Sequence, residues 1–295
     1  MDLLTTTEAA DYLRIKERKL YELVSEGQIP CTKVTGKWAF PRAELDRWLL
    51  AGLARPLGVV PSDPPPIIGG SHDPLLQWVL RESRCELASL AEGSECGYRK
   101  LLEGKVLAAA IHFHDADDPD ADANVAVVSS ESALYDAVLV GFAVREQGLL
   151  VASGNPLDVT DLASAAAAAK ARFATRPEGA GAQQLLRALL NREHLDYSKL
   201  MLAAGTCPTG ADIAQAIRSG HADCGIATRT ISMAAGLDFI PLALERFDLL
   251  MRQRDYFRKP MQAMLELLAD ARFAARAKDL GGLDVSGAGQ IRWAP

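Results

Sequence analysis

Apolar residues near the start of the chain recur at the spacing of a short helix. Thr5 lies three positions before Glu8, which is the spacing of a capping box at a helix N-terminus. Ala9 and Leu13 then fall on one apolar face. The pattern is interrupted at Arg14-Ile15, where this first helix is predicted to end.

A second apolar face follows in KERKLYELVSEG, where Leu20, Leu23 and Val24 share one side. Gly27 suits the position after the helix, which is often left-handed. Two short helices joined by a brief turn predict a helix-turn-helix. Basic residues cluster near the start of the second helix, where a recognition helix contacts phosphates and base edges: Lys16, Arg18 and Lys19.

Alternating residues then predict a β-hairpin in IPCTKVTGKWAFP, with a tight turn at Thr35-Gly36. Trp38 is expected to pack inward, and a closing helix is predicted in RAELDRWL. This order of elements favours DNA binding over the alternative, a small structural module with a charged, solvated face. The predicted DNA-binding residues are Lys16, Arg18, Lys19, Lys33, Lys37 and Arg42.

A proline-rich segment, ARPLGVVPSDPPP at residues 54–66, separates this unit from the rest of the chain. Its prolines exclude a helix or a central strand, so we expect a semi-rigid spacer. The predicted domains are therefore residues 1–53, the linker 54–66 and a larger domain over 67–295.

Beyond the linker, short apolar runs alternate with amphipathic segments. The predicted strands are IIGGS, CELASLA, LAAAIHF, the long AVLVGFAVREQGLLVA, ARFATR and DCGIAT. The predicted helices are DPLLQWVLRES, SECGYRKLLEGK, LASAAAAAKA, the segment after Gly181, and ADIAQAIRSG, which Thr209 caps. This alternation predicts an α/β fold with mostly parallel strands. Such folds bind ligands at the carboxyl ends of strands, against helix N-termini.

Composition restricts the classes of function. A content of 49% hydrophobic and 24% charged residues in 295 is typical of a soluble globular protein. The net charge of −6 lies in the larger domain, because residues 1–58 hold nine Lys and Arg against eight Asp and Glu. Five cysteines without a CxxC pair indicate reduced thiols. No signal-peptide or membrane-span pattern is present, so a cytoplasmic protein without a membrane partner is expected.

Catalytic signatures are missing from the sequence. No GxSxG, HExxH or P-loop motif occurs, so neither an enzyme activity nor a cofactor is predicted. The acidic segment DADDPDADAN lacks the ligand spacing and the glycine of a calcium loop.

The first fifty residues resemble the excisionase/MerR-like winged helix-turn-helix. The similarity lies in the Thr-x-x-Glu-Ala-Ala start, the Glu-Gly-x-Ile-Pro turn, and the Gly-Lys-Trp wing tip before Leu-Asp-x-Trp-Leu. Where that family often has Ser and Thr on the second helix, this chain has Lys16 and Lys19. The change strengthens the expected phosphate attraction and its salt dependence.

The larger domain resembles the periplasmic-binding-protein-like domains, related to molybdate- and tungstate-binding proteins, that are fused to helix-turn-helix heads in bacterial regulators. The matching segments, in order, are GGSHDPLL, LLEGKVLAAAIHFHD, REQGLLVASGNPL, RPEGAGAQQLL, SGHADCGIATR and GLDFIPLALERFDLL. The resemblance implies a type II fold of two α/β lobes with crossover strands as a hinge and a ligand cleft between them. Lobe one is expected over about 67–140 plus a C-terminal helix near 260–280, and lobe two over about 150–250.

Two segments at predicted strand ends are candidates for the ligand cleft. Ser71 is predicted to cap the following helix and, with neighbouring N–H groups and His72, to hold one side of a ligand. The alternative is that Ser71 and Asp73 only cap the helix and that His72 is a surface group. His112 and His114 share a strand face, so they are expected to form a metal pair, with His72 or Asp115 as a third ligand, or a hydrogen-bonding pair. We favour hydrogen bonding, with His112 at the family's ligand position and no metal.

The glycine-rich loop Gly179-Ala180-Gly181 precedes a helix and is expected to form another wall of the cleft. Related domains usually have Gly-Ser-Gly-Thr-Arg here, whereas this chain has Ala180, Ala182 and Gln183. Loss of two hydroxyls and a cation weakens the grip on a charged oxyanion, and Gln183 suits an amide, carbonyl or carboxylate. Arg176 and Arg229 are the candidates to restore a cation. Thr228 and Arg229 end the strand DCGIAT and complete the predicted ligand set.

These features predict a regulator that binds operator DNA and a small effector as a homodimer or higher homo-oligomer, because one winged head offers a small DNA interface. The alternative of the same architecture is a molybdate or tungstate sensor. Two others are a cytosolic enzyme using the histidines at 72, 112 and 114, and a DNA-architecture protein of excisionase type.

Overall fold

The structure is a computed structural model that divides into two compact units, Met1–Pro56 and Leu57–Pro295, each considered separately. The residues it describes are 2–34, 36–51, 63–115, 122–168 and 171–295. Thr35 of the predicted hairpin turn, most of the predicted linker and the core of the acidic segment DADDPDADAN lie outside them.

The N-terminal unit combines helices with a small antiparallel sheet of order β1-β3-β2. Its elements within the described residues are β1 (Leu3–Leu4), α1 (Thr6–Leu13), α2 (Glu17–Ser25), β2 (Thr32–Val34), β3 (Lys37–Pro41) and α3 (Arg42–Ala51). The predicted helix-turn-helix, hairpin and closing helix are confirmed. The strand β1 was not predicted, because two residues carry no periodic signal.

Local signals set the ends of the two first helices. Thr5 Oγ1 accepts a hydrogen bond from the Glu8 N–H at 3.3 Å, and the Glu8 carboxylate accepts one from the Thr5 N–H at 2.8 Å. Arg14 closes α1 in the left-handed region at φ 52°, and Gly27 follows α2 at φ 67°. The capping box and both predicted breaks are therefore present.

The C-terminal unit alternates strands and helices as the sequence predicts. The strands of its described part are β4 (Ile67–Gly70), β5 (Ala88–Ala91), β6 (Ala108–Ile111), β7 (Ala137–Val151), β8 (Arg172–Thr175), β9 (Met201–Thr206), β10 (Cys224–Thr228), β11 (Asp238–Arg252), β12 (Leu283–Asp284) and β13 (Ile291–Trp293). The helices are α4 (Pro74–Glu82), α5 (Ser94–Leu102), α6 (Ala123–Ser130), α7 (Leu162–Ala167), α8 (Gly181–Arg192), α9 (Gly210–Arg218), α10 (Arg229–Ala235), α11 (Gln253–Tyr256), α12 (Lys259–Leu268) and α13 (Ala271–Leu280).

The strands form one sheet of order β5-β4-β6-β11-β7-β10-β8-β9. The two long central strands, β7 and β11, run antiparallel from Asp238↔Val151 to Arg252↔Ala137. The parallel strands β4, β5 and β6 lie on one side of this pair, and β8, β9 and β10 lie on the other. The long pair therefore crosses between two halves of the sheet, as the resemblance implies for a hinge.

We call the half with β4–β6 lobe one and the half with β8–β10 lobe two. The second half of β11 belongs to lobe one, because residues 248–251 pair with β6. The structure thus ends lobe two earlier than the expected residue 250. The core of lobe one includes Phe142 and Phe247 against Phe273, and that of lobe two includes Leu185 of α8 over Phe173.

Two local predictions about lobe one are wrong. The cap of α4 is Asp73, whose Oδ1 accepts hydrogen bonds from the N–H groups of Leu75 and Leu76, and not Ser71. The expected C-terminal helix near 260–280 is two helices, because Ala269 ends α12 and the Asp270 side chain caps α13.

The C-terminal segment, residues 281–295, pairs with the outer edge of the hinge. Strands β12 and β13 are antiparallel to β7 at residues 144–145 and 139–140. Arg292 forms ion pairs with Asp248 of β11 and with Asp122, so this segment is also tied to lobe one by charge.

Among the helices of the described residues, none is both long and apolar enough to cross a membrane.

Candidate functional site

A narrow polar cavity of about 40 Å³ lies between the two lobes, beside the hinge. Lobe one, the hinge and lobe two all contribute to its wall. The lining residues are Ser71, His72, Pro74, His112, Arg145, Gln147, Arg176, Ala182, Gly210, Ile226, Ala227, Thr228 and Ile231. Its small volume shows that the lobes are closed on each other.

Four residues predicted for ligand binding come together at this cavity: Ser71, His72, His112 and Thr228. Ser71 follows β4, His112 follows β6, and Thr228 ends β10. They meet because strand ends of the two lobes face the same crevice. The Ser71 hydroxyl is 2.9 Å from the Ser94 hydroxyl, which in turn donates to the His112 carbonyl at 3.1 Å.

The floor of the cavity contains charged and polar side chains that the sequence did not identify as site residues. Arg145 of β7 donates from Nη1 to Asp73 Oδ2 at 2.9 Å and from Nη2 to Glu245 Oε1 on β11. Gln147 Nε2 also donates to Glu245 Oε1, at 2.8 Å. Arg145 and Gln147 belong to the polar triplet Arg-Glu-Gln inside the otherwise apolar strand 137–151, a pattern that gives no indication of their partner Glu245.

Two imidazoles complete this floor. His112 Nδ1 and His114 Nε2 each lie 2.9 Å from the same oxygen, Glu245 Oε2. Burial lowers the pKa of His112 to about 4, so its imidazole is neutral at pH 7. Burial opposes ionisation of Glu245, but Arg145 and His112 outweigh it and hold the pKa of Glu245 well below its usual value. Within the described residues, the side chains that could together hold a metal ion are those of His112, His114 and Glu245.

Several buried polar atoms on the cavity wall lack a hydrogen-bond partner among the described residues. They are Thr228 Oγ1, Gln147 Oε1, Arg145 Nε and Arg176 Nε. Buried polar atoms are satisfied in the great majority of cases, and those left over mark places where water, an ion or a ligand binds. All four residues line the same cavity.

Arg176 follows β8 and brings a cation to the cavity from lobe two. Burial lowers its pKa, and Asp212 partly offsets that effect. In the part of the chain that the structure describes, no carboxylate forms an ion pair with it. A half-buried guanidinium without a paired carboxylate is suited to an anionic group of a ligand.

The glycine-rich loop contacts lobe one rather than the cavity itself. A Cβ on Gly181 would lie 2.3 Å from both Nδ1 and the carbonyl oxygen of His112, so only glycine permits this approach. Gly179, at φ +80°, accepts a hydrogen bond from the Glu95 N–H at 3.4 Å. Ala180 is buried beside it and caps α8 without a side-chain hydrogen bond. The loop therefore helps to close the two lobes.

Gln183 and Arg229 are not among the cavity-lining residues. Gln183 Oε1 accepts from the Arg176 N–H at 3.1 Å, and its Nε2 donates to the Tyr197 hydroxyl at 3.2 Å. Arg229 pairs with Glu146 and lies 4.4 Å from the ring centroid of Phe239. Both side chains already have partners, Gln183 within lobe two and Arg229 with the hinge strands β7 and β11.

The basic residues predicted to contact DNA lie on the surface of the N-terminal unit. Arg18 and Lys19 both pair with Glu22, and Lys33 lies 5.3 Å from the Trp38 ring centroid. Arg42 pairs with Asp2 and stacks on Tyr12. Lys16 and Lys37 are exposed. Neighbouring acidic residues thus partly neutralise this surface.

Comparison with protein families agrees with both units. A family model for a helix-turn-helix domain matches residues 3–52, and one for the PBP superfamily domain matches residues 79–269. The N-terminal unit is thus a helix-turn-helix domain joined to a two-lobed, binding-protein-like α/β domain. By the longer match, the chain belongs to the PBP superfamily.

Individual relatives are distant. The chain is 22% identical over 305 residues to the uncharacterized protein YvgK of Bacillus subtilis (strain 168), covering 97% of this chain and 96% of that one. Its fold is similar to a candidate phosphate ABC transporter substrate-binding protein from Clostridium perfringens solved with bound phosphate (TM-score 0.55, 10% identity, 74% of this chain and 97% of that one). EhuB in complex with hydroxyectoine has a TM-score of 0.50 at 12% identity, over 77% and 91% of the two chains.

Proposed function

We propose that this chain is a cytoplasmic transcription regulator in which residues 1–53 bind operator DNA and the cleft of residues 67–295 binds a small effector. The presence of a helix-turn-helix domain and a binding-protein-like domain in one chain supports this function. The unpartnered polar atoms around the cleft carry the proposal, because they require a polar ligand or water to satisfy them.

The effector has an anionic group that meets Arg176 and a polar group that satisfies Thr228 and Gln147. Residues of both lobes line this narrow cavity, so the lobes must part to admit the effector. Bending of the β7–β11 pair is the motion that this fold offers. The two states then differ in their affinity for the effector, which is the requirement for a ligand-driven switch.

The regulator acts as a homodimer or a higher homo-oligomer on a two-fold operator. A single winged head is small for a specific DNA interface, whereas two heads on two half-sites double it. Sedimentation of the protein with and without DNA measures this stoichiometry.

Fluorescence anisotropy with the DNA upstream of its own gene tests the proposed function. We expect sequence-selective binding that weakens as salt rises. A scrambled duplex of equal length is the control. Equal affinity for both duplexes at every salt concentration would refute DNA-sequence recognition and leave a DNA-architecture role.

A second candidate is an oxyanion sensor of the same architecture. It is favoured by the Arg176 guanidinium and the free Thr228 hydroxyl at the cavity, and by the fold shared with a phosphate-bound protein. Calorimetry with phosphate, sulfate, molybdate and tungstate against small carboxylates and heterocycles separates the candidates. Tight binding of one inorganic oxyanion alone, lost on Ser71→Ala, selects the oxyanion sensor. Binding of a carboxylate alone selects an organic effector.

A further inference from the structure

The cleft floor holds a cluster that the anionic effector does not require. His112, His114 and Glu245 each offer one ligand atom, and the three atoms lie within 4.8 Å of one another. All three side chains are buried, with exposed side-chain fractions of 8%, 3% and 1%. Two imidazoles beside a carboxylate form a donor set for divalent transition metals.

Glu245 Oε2 is equally distant from the two imidazole nitrogens of this cluster. Each imidazole nitrogen lies 2.9 Å from Glu245 Oε2. Adjacent ligands of an octahedral ion with bonds of about 2.1 Å are about 3.0 Å apart. An ion that replaces the imidazole protons therefore needs only a small adjustment of these side chains.

The remaining oxygen of the carboxylate is already held by other groups. Glu245 Oε1 accepts hydrogen bonds from Arg145 and from Gln147 Nε2. Such outer contacts orient a ligating carboxylate and leave its other oxygen for the metal. Here they turn Oε2 toward both imidazoles.

Nearby carboxylates partly offset the charge of a cation bound at this cluster. Arg145 stands between two carboxylates, Asp73 and Glu245, so these three groups together carry one negative charge. Burial favours the neutral form of His112, which is the form that binds a metal. With Arg176 at the same cavity, a divalent ion would leave two positive charges, which an anionic effector in the adjoining cavity would offset.

We propose that His112, His114 and Glu245 bind a divalent first-row transition-metal ion at the floor of the cleft. His112 also lines the cavity, so the open coordination positions of the ion face the effector. The ion is then either the effector itself or a ligand of the effector's anionic group. This role of the ion rests on the proposed function, whereas binding of the ion does not.

The test uses the full chain, freed of metal with a chelator and titrated with Zn²⁺ and Co²⁺. We expect one ion per chain by calorimetry and a visible d–d absorption with Co²⁺. His114→Gln retains an N–H group for Glu245 and should weaken binding at least about 10-fold. His221→Gln, at an exposed site in lobe two bonded to Ser219, is the matched control and should bind as the parent protein does.

Circular dichroism of each variant checks that it is folded. If His114→Gln is not folded, Glu245→Gln replaces it as the variant that lacks one proposed metal ligand. Equal weak affinity in the parent, His114→Gln and His221→Gln would overturn the proposal and leave the cluster as a hydrogen-bonded network. Operator binding by the metal-free protein is measured in parallel. DNA binding without metal binding removes only this inference, and metal binding without DNA binding removes only the proposed function.

Discussion

Arg176 supplies a cation that the glycine-rich loop lacks. The sequence offered Arg176 and Arg229 as replacements, since both follow strands that end at the cleft, but only Arg229 was placed in the predicted ligand set. The structure separates them: Arg229 is paired with Glu146, whereas Arg176 lines the cavity with a buried Nε that has no partner among the described residues. Arg176, just before the loop, is therefore the residue to which we assign anion binding in the proposed function.

Replacing Arg176 by Ala should weaken binding of an anionic effector by about 1.5–3 kcal/mol, or roughly 10- to 150-fold, because a charge-assisted hydrogen bond is lost. Calorimetry with whichever anion stabilises the parent protein measures the change. Arg218→Ala, at an exposed site on α9, is the control. Equal losses in both variants would mean that general surface charge, and not Arg176, holds the anion.

Asp248 is a buried carboxylate whose raised pKa makes the stability of the protein depend on pH. Burial raises its pKa from an ordinary value of 3.8 to about 6, although Asn124 and Arg292 act in the opposite direction and Asp122 adds to the rise. The folded state therefore holds the proton more tightly than the unfolded state. Its contribution to the free energy of unfolding is greatest below pH 4 and is lost as the pH rises to 6.

Asp248→Asn removes this dependence, because the amide does not ionise. Relative to the variant, the parent protein should lose about 2 kcal/mol of unfolding free energy between pH 4 and pH 6. Urea denaturation across this range measures the difference, and parallel curves for the two proteins would contradict the raised pKa.

Single residues differ in how far the sequence reveals them. Ser71, His112 and Thr228 were predictable, because each stands at the end of a recognisable strand. Arg145 and Glu245 were not, because both lie inside long extended strands and meet across 100 positions of sequence. Local patterns indicate where a strand ends, but not which distant charge will compensate a buried one.

Helix α8 begins with the glycine that brings the two lobes into contact. Gly181 is required by proximity rather than by a left-handed backbone, since a Cβ would meet the His112 carbonyl oxygen at 2.3 Å. Backbone atoms cannot move aside independently, so a larger residue would separate this loop from lobe one.

Gly181→Ala should lower the free energy of unfolding by about 1–3 kcal/mol, as overpacked sites do, and should disfavour the closed cleft. Urea denaturation gives the first effect, and small-angle scattering gives the second as a larger radius of gyration. Gly287→Ala is the control, because nothing lies within 4 Å of the added Cβ. An unchanged radius and stability for Gly181→Ala would show that the loop does not close the lobes.

Helix starts with reciprocal hydrogen bonds were the most predictable elements. Thr5 with Glu8 and Thr209 with Asp212 both form the capping boxes that their spacing indicates. Prediction failed at Ser71, where Asp73 two positions later caps α4 instead. Both residues are good caps, but α4 begins directly after Asp73, whereas the Ser71 hydroxyl contacts Ser94 instead.

Association with DNA is expected to depend on a few exposed cations, since Glu22 and Asp2 neutralise several others. Lys37→Ala should reduce the slope of log affinity against log salt by about 0.9 for each phosphate that Lys37 neutralises. Lys105→Ala, in the C-terminal domain, is the control. A slope that falls equally in both variants would exclude a specific wing contact.

The crossing of β7 and β11 also sets the order in which the two lobes can fold during synthesis of the chain. Lobe two is one continuous stretch between these strands, whereas lobe one needs residues that precede β7 and others that follow the middle of β11. A growing chain folds as its segments leave the ribosome. Lobe two can therefore be complete while β6 still lacks its partner strand, the second half of β11. Lobe one, whose synthesis begins first, is then the last to be completed.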